Sequence, residues 1–202
     1  MENLATTYWS LGQWKNAEAL KVVVMDKRKQ LLGEDHPDTL ISMGNLANIY
    51  QDIGQWKDAE ALEVVVMDKR KQLLGEDHFN TLISMGNLAN TYRDLGQWKD
   101  AEALEIVVMD KRKQLLGKDH PDTLMSMENL ANTYWDMGQW KDAEALEVVV
   151  MNKRKQLLGE DHPYTHTAME NLAKTYRCLG HEEDAEELEA SVMDKRNVAL
   201  VS

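Results

Sequence analysis

The chain has 202 residues, a formal net charge of −12, a pI near 4.9 and a single cysteine, Cys178. An acidic balance of this size excludes the broad basic face of a nucleic-acid-binding domain and disfavours anionic membranes, and it suits solubility and partners of some basic character. The lone cysteine excludes an internal disulfide and fits a reduced, cytoplasmic setting; no signal-type N-terminus is present, nor any apolar run near the roughly 20 residues of a membrane span.

The first segment, MENLATTYWSLG, already contains the phrase that fills the chain. Met1, Met43, Met85, Met127 and Met169 each open a version of Met-[Gly/Glu]-Asn-Leu-Ala-x-x-Tyr, at a constant step of 42 residues. Residues 43–84 and 85–126 differ at only eight positions. A fixed period of this size means a stacked array in which each unit buries a face on its neighbour. The units run 1–42, 43–84, 85–126, 127–168 and 169–202, a single array over 1–202. Met1 falls inside the first helix of its unit, so the array is expected to be a piece of a longer one.

Thr39 to Ile53 carries apolar residues at Leu40, Met43, Leu46, Ala47 and Tyr50, the three-and-four spacing of a helix. Gly54 is placed to stop it. Gln55 to Leu74 reads as a second helix, with Trp56, Ala59, Leu62, Val65, Val66 and Leu73 on its apolar side and Val64 and Met67 widening it. Gly75 ends that helix and a turn, Glu76-Asp77-His78, follows. Pro37, Pro121 and Pro163 suit the first position of the next helix, and Asp38 and Asp122 suit its dipole. Phe79-Asn80 replaces Pro-Asp once. Two helices with tight glycine corners make an antiparallel hairpin. The last unit diverges: His181-Glu182 replaces Gln-Trp and its second helix is more polar, as a capping repeat requires.

Little in the chain points to chemistry. His36, His78, His120 and His162 recur once per unit, which suits a helix-start role and separates them too far for a shared metal. His162 and His166 lack further zinc ligands. Cys178 near His181 has no third group or oxyanion donor beside it. No phosphate loop or zinc-protease motif occurs. The sequence therefore predicts no enzyme, no cofactor and no metal. Trp14, Trp56, Trp98 and Trp140, with the methionines, read as core, and the Asp-Lys-Arg-Lys run of each second helix reads as a solvated face.

The spacing Leu46-Ala47-x-x-Tyr50-x-x-x-Gly54-x-x-x-x-Ala59 resembles the tetratricopeptide repeat. It recurs at Leu4/Tyr8/Gly12/Ala17, Leu88/Tyr92/Gly96/Ala101, Leu130/Tyr134/Gly138/Ala143 and Leu172/Tyr176/Gly180/Ala185. The long 42-residue form is similar to the repeats of kinesin light chains and of fungal signalling proteins built around a nucleotide-binding switch domain. The resemblance covers the whole chain. It implies an all-α, right-handed superhelical solenoid of helix hairpins, with first helices lining a concave face.

Carried over position by position, the resemblance also implies an asparagine ladder, Asn3, Asn45, Asn87, Asn129 and Asn171, that holds the backbone of a bound peptide. The alternative for each is a bond to a neighbouring helix. One turn on lie Thr6, Asn48, Asn90, Asn132 and Lys174. The next row, Trp9, Gln51, Arg93, Trp135 and Arg177, varies where the units otherwise nearly copy one another. Trp and Arg are common interface anchors, so Arg93, Trp135, Lys174 and Arg177 join the candidates, with a drifting solvated row as the alternative. Gly44 and Gly86 sit mid-helix on the same side, where a ligand backbone could approach, with inheritance through recent duplication as the alternative. Asp52, Asp94 and Asp136 against Lys174 and Arg177 would give the groove a change of sign. The reading is a non-catalytic interaction scaffold that binds a peptide or helical segment. The alternative is a structural arm of a larger signalling nucleoside triphosphatase, or self-association through open array ends.

Overall fold

The structure, a computed structural model, describes the backbone of residues 2–201 and the side chains of residues 3–193. Among the described residues there are ten α-helices and no strand. They are α1 (Glu2–Ser10), α2 (Trp14–Leu32), α3 (Pro37–Asp52), α4 (Trp56–Leu74), α5 (Phe79–Asp94), α6 (Trp98–Leu116), α7 (Pro121–Asp136), α8 (Trp140–Leu158), α9 (Pro163–Leu179) and α10 (Glu182–Val201). The chain packs as two compact units, Met1–Leu104 and Glu105–Ser202. In the first, helices α1 to α5 pack each against the next; in the second, α7 to α10 do the same. Residues 194–202, which include the last turns of α10, lie outside the described side chains.

Two kinds of corner set this arrangement. At Gly54 the backbone turns left-handed, φ +74°, and the Gln55 N–H reaches back to the Tyr50 carbonyl at 2.7 Å. That closure satisfies carbonyls that α3 would otherwise leave open. A Cβ at Gly54 would meet nothing within 4 Å, so the dihedral alone demands glycine. At Gly75, φ +91° and ψ +164° place the backbone in a region that only glycine occupies readily. His78 then caps α5: its Nδ1 accepts the Asn80 N–H at 3.1 Å. The fully buried Thr81 donates its hydroxyl to the Gly75 carbonyl at 2.8 Å and closes the corner. His36 with Thr39, His120 with Thr123 and His162 with Thr165 repeat the pattern. The predicted turn role of the histidines is therefore what the chain uses. Phe79 in place of proline leaves the same cap intact.

Leu40, Leu46 and Ala47 of α3 are buried, as their spacing predicts, and so are Ala59 and Val66 of α4. Each fully buried leucine contributes about 1.5–3 kcal/mol. The two alanines of the hairpin, Ala47 and Ala59, are both fully buried, so neither holds the paired backbones apart. In the second unit Leu124, Met127, Val150 and Ala168 form the core, with Met109, Leu146 and Met151 packed against it.

The second helices differ from their apolar reading. The buried stripe of α8 is Ala143, Glu147, Val150 and Arg154, and α4 buries Ala59, Glu63 and Val66 in the same register. Half of this seam is polar. The tryptophans that open α2, α4, α6 and α8 are 38–42% exposed rather than core, because they stand at the helix end beside the open corner. Leu73 and Val65 are exposed too. The apolar stripe of these helices is wider than the face their neighbours cover.

Candidate functional site

The polar seam supports the face above it. Three- and four-residue steps from Val66 bring Arg70 inward, so the predicted solvated run hides an inward arginine. Arg70 donates to the Asn80 carbonyl at 3.1 Å and to Ser84 Oγ at 2.8 Å. Arg112 repeats this with Asp122 and Ser126, and Arg28 with Asp38 and Ser42. Burial lowers the pKa of Arg70 and Arg112 from the ordinary arginine range. In the next repeat Ala168 replaces the serine, and Arg154 instead forks onto Glu128 at 2.9 and 2.8 Å. Glu128 occupies the register of Gly44 and Gly86. These arginines bind helix starts to the preceding helix.

One turn earlier on α4, Glu63 is 3% exposed. Thr91 donates its hydroxyl to Glu63 Oε2 at 2.6 Å, and the Gln51 carboxamide bonds both Thr91 and, at 3.4 Å, Glu63 Oε1. Burial pushes the Glu63 carboxyl up to about 7 from 4.5; the Thr91 hydrogen bond lowers it and the Asp94 charge raises it.

The asparagines lie on the first helices. Asn45, Asn87, Asn129 and Asn171 are half-buried and Asn3 is exposed. Asn48 is exposed, and Asn90 and Asn132 are half-buried. Among the described residues, none of Asn45, Asn48, Asn87, Asn129, Asn132 and Asn171 spends its carboxamide on a hydrogen bond to the chain. In the first unit Asn45, Asn48 and Asn87 line one depression of about 160 Å³, with Gly44 at its edge and Glu63 and Arg70 also in its wall. In the second unit Asn132, Trp135, Asn171 and Lys174 line another of about 150 Å³ over Glu147. Asn3, Asn90, Asn129 and Arg93 stand outside both.

The varying row divides by partner. Trp9 donates its indole N–H to Asp52 at 2.7 Å and meets Trp14 edge-on, 6.1 Å between centroids, so Asp52 is engaged. Arg177 forks onto Glu189 at 3.0 and 2.8 Å and reaches Glu182 at 2.7 Å. Those hydrogen bonds and charges raise its pKa. Trp135 is 41% exposed. A Cβ at Gly44 or Gly86 would meet nothing within 4 Å.

Tetratricopeptide repeat models match residues 81–122, 123–164 and 165–201, and a second such model matches residues 1–64. The chain belongs to the tetratricopeptide repeat family. Its fold is similar to that of a Podosopora anserina kinesin-light-chain-like protein of nearly identical tetratricopeptide-like repeats, at 29% identity and a TM-score of 0.90, over 100% of this chain and 95% of that one. It is similar to BtubC from P. vanneervenii at 19% identity and a TM-score of 0.84, over 97% of this chain and 78% of that one. A Rap protein complexed with Competence and Sporulation Factor matches at 12% identity and a TM-score of 0.74, over 96% of this chain and 52% of that one. No curated protein matches the chain.

For this tetratricopeptide array, residue reading missed the seam glutamates and arginines. A signal was present. Arg and Ser recur fourteen residues apart at 28/42, 70/84 and 112/126, and where Ser gives way to Ala168, Glu128 appears in the same repeat. Among the described residues no helix is long and apolar enough to cross a membrane.

Proposed function

We propose that this tetratricopeptide array is a non-catalytic scaffold whose asparagine-bearing first helices bind an extended segment of a protein partner by its main chain. The observation that carries the reading is the set of carboxamides without bonds to the chain, repeated unit by unit beside shallow depressions. A carboxamide offers two donors and an acceptor, which matches a peptide group whatever its side chain. Half-burial restricts these side chains before a partner arrives, which lowers the ordering cost of binding. Gly44 and Gly86 leave open space on this side, as a close main-chain approach needs.

The test is selection from a random peptide library on the full chain, followed by affinities for Asn45→Ala/Asn87→Ala and Asn132→Ala/Asn171→Ala. Each lost bond is worth about 0.5–1.5 kcal/mol, so a double variant should bind about tenfold more weakly. Selected peptides that bind both variants as tightly as the parent would overturn the reading.

A second reading is self-association. It rests on the exposed apolar residues Leu4, Leu11 and Leu31 of the first hairpin, the last 82% exposed. Molar mass that rises with concentration, and returns to the monomer value in a Leu11→Glu/Leu31→Glu variant, would favour it. A constant monomer mass would remove it.

A further inference from the structure

Glu147 of α8 is 5% exposed, and its Oε2 is buried without a hydrogen-bond partner. It lines the depression formed by Asn132, Trp135, Asn171 and Lys174. A buried carboxylate oxygen with nothing to accept from is costly, and native structures leave few of them.

The same register elsewhere in the chain shows what this carboxylate is missing. Twelve residues before each seam glutamate stands one residue of the varying row. Before Glu63 it is Gln51, which with Thr91 supplies hydrogen bonds. Before Glu189 it is Arg177, whose guanidinium forks onto both oxygens. Before Glu147 it is Trp135. The other tryptophan of this row, Trp9, is held by its indole N–H on Asp52. In the matching place for Trp135 the chain has Cys178, a poor acceptor. Trp135 thus supplies no hydrogen bond to Glu147, whose neighbouring hydroxyl is Thr175, and is itself not tethered.

We propose that the depression over Glu147 binds a basic side chain of a partner segment, a guanidinium before an ammonium; this rests on the peptide-binding reading above. The guanidinium takes over Glu147 the place that Arg177 takes over Glu189. The exposed Trp135 ring gives it a face to stack on, and the carboxamide oxygens of Asn132 and Asn171 accept from its remaining N–H groups. Burial raises the pKa of Glu147, the Thr175 hydroxyl and the Lys174 charge pull it down, and the nearby Glu128 and Glu144 push it up. Lys174 at the rim opposes the incoming cation. The chain's net charge of −12 favours a basic partner over an acidic one.

The test is a titration of the full chain with N-acetyl-arginine amide and, separately, N-acetyl-citrulline amide, its neutral near-isostere, read at the Trp135 indole N–H resonance. Arginine amide should bind about tenfold more tightly than citrulline amide, the worth of one charge-assisted hydrogen bond. Glu147→Gln should erase that preference while helicity stays unchanged, and Lys174→Ala should strengthen arginine binding. Equal shifts from the two amides, or a preference that survives Glu147→Gln, overturn the proposal. Lys174→Ala keeps the site testable should Glu147→Gln disturb packing: a variant that weakens arginine binding also overturns it. The two readings fail separately. Library peptides that bind through the asparagines without an arginine preference remove only the basic subsite. A chain that binds arginine amide but selects no peptide removes the peptide reading.

Discussion

A carboxyl group 3% exposed, served by one hydroxyl and one amide, resists ionisation. Glu63 is pushed up to about 7 in the folded chain against 4.5 unfolded. Below pH 4.5 both states hold the proton and Glu63 takes nothing from stability. Between 4.5 and about 7 the unfolded chain releases its proton while the folded one keeps it, so stability falls as pH rises, by roughly 3 kcal/mol in all. Glu63→Gln should therefore raise the stability of the chain at pH 8, leave it nearly unchanged at pH 4, and flatten the slope between. Denaturant melts across that range check it; a variant less stable at pH 8 would contradict the assignment. Gly44 invites the opposite exchange between stability and binding. A Cβ there meets nothing, so Gly44→Ala should stabilise by about 1 kcal/mol through helix propensity. It should also weaken any peptide whose backbone closes on that helix, and affinity and melting data on one variant separate the two. At this scale the asparagines were readable in sequence, since a constant residue on a predicted helix face names its own position. Glu63 and Arg70 were not, because a period of three and four counts apolar residues and passes over a polar side chain whose partners come from other helices.

Helix against helix, the inward arginines do work that an apolar stripe would leave undone. Arg112 is 8% exposed and binds a helix-start carbonyl and a serine of α7. Arg112→Met keeps most of the stem and removes both bonds, leaving the Asp122 carbonyl and Ser126 short of a donor. The expected loss is about 2 kcal/mol, since hydrogen bonds to charged groups are worth roughly 1.5–3 kcal/mol. Chemical denaturation measures it, and a loss below about 0.5 kcal/mol, the level of an ordinary surface change, would mean the seam is incidental. Helix limits were legible to within two residues because glycine and histidine mark the turns, with proline after the histidine at three of the four. The exposure of Trp56 and Leu73 was not legible: hydrophobicity states what a residue prefers, and how far a neighbouring helix extends is fixed by corner geometry.

For the molecule as a whole, the 42-residue period is the dominant signal, and it leads to helix hairpins and the tetratricopeptide repeat family. Near-copy repeats also make departures informative. Ala168 breaks the Arg–Ser pattern and is met by the Arg154–Glu128 pair, and Cys178 breaks the row of Asp52, Asp94 and Asp136. Function was less legible, because repeat arrays of one fold present different side chains to different partners. The central claim is that the asparagine face holds a partner by its main chain. It is tested most directly by the affinity of a library-selected peptide compared with copies N-methylated at one backbone amide at a time. Methylation at amides that face the carboxamides should cost about tenfold in affinity, while side-chain replacement at the same positions costs little. Uniform tolerance of N-methylation, with affinity following side chains alone, would contradict it.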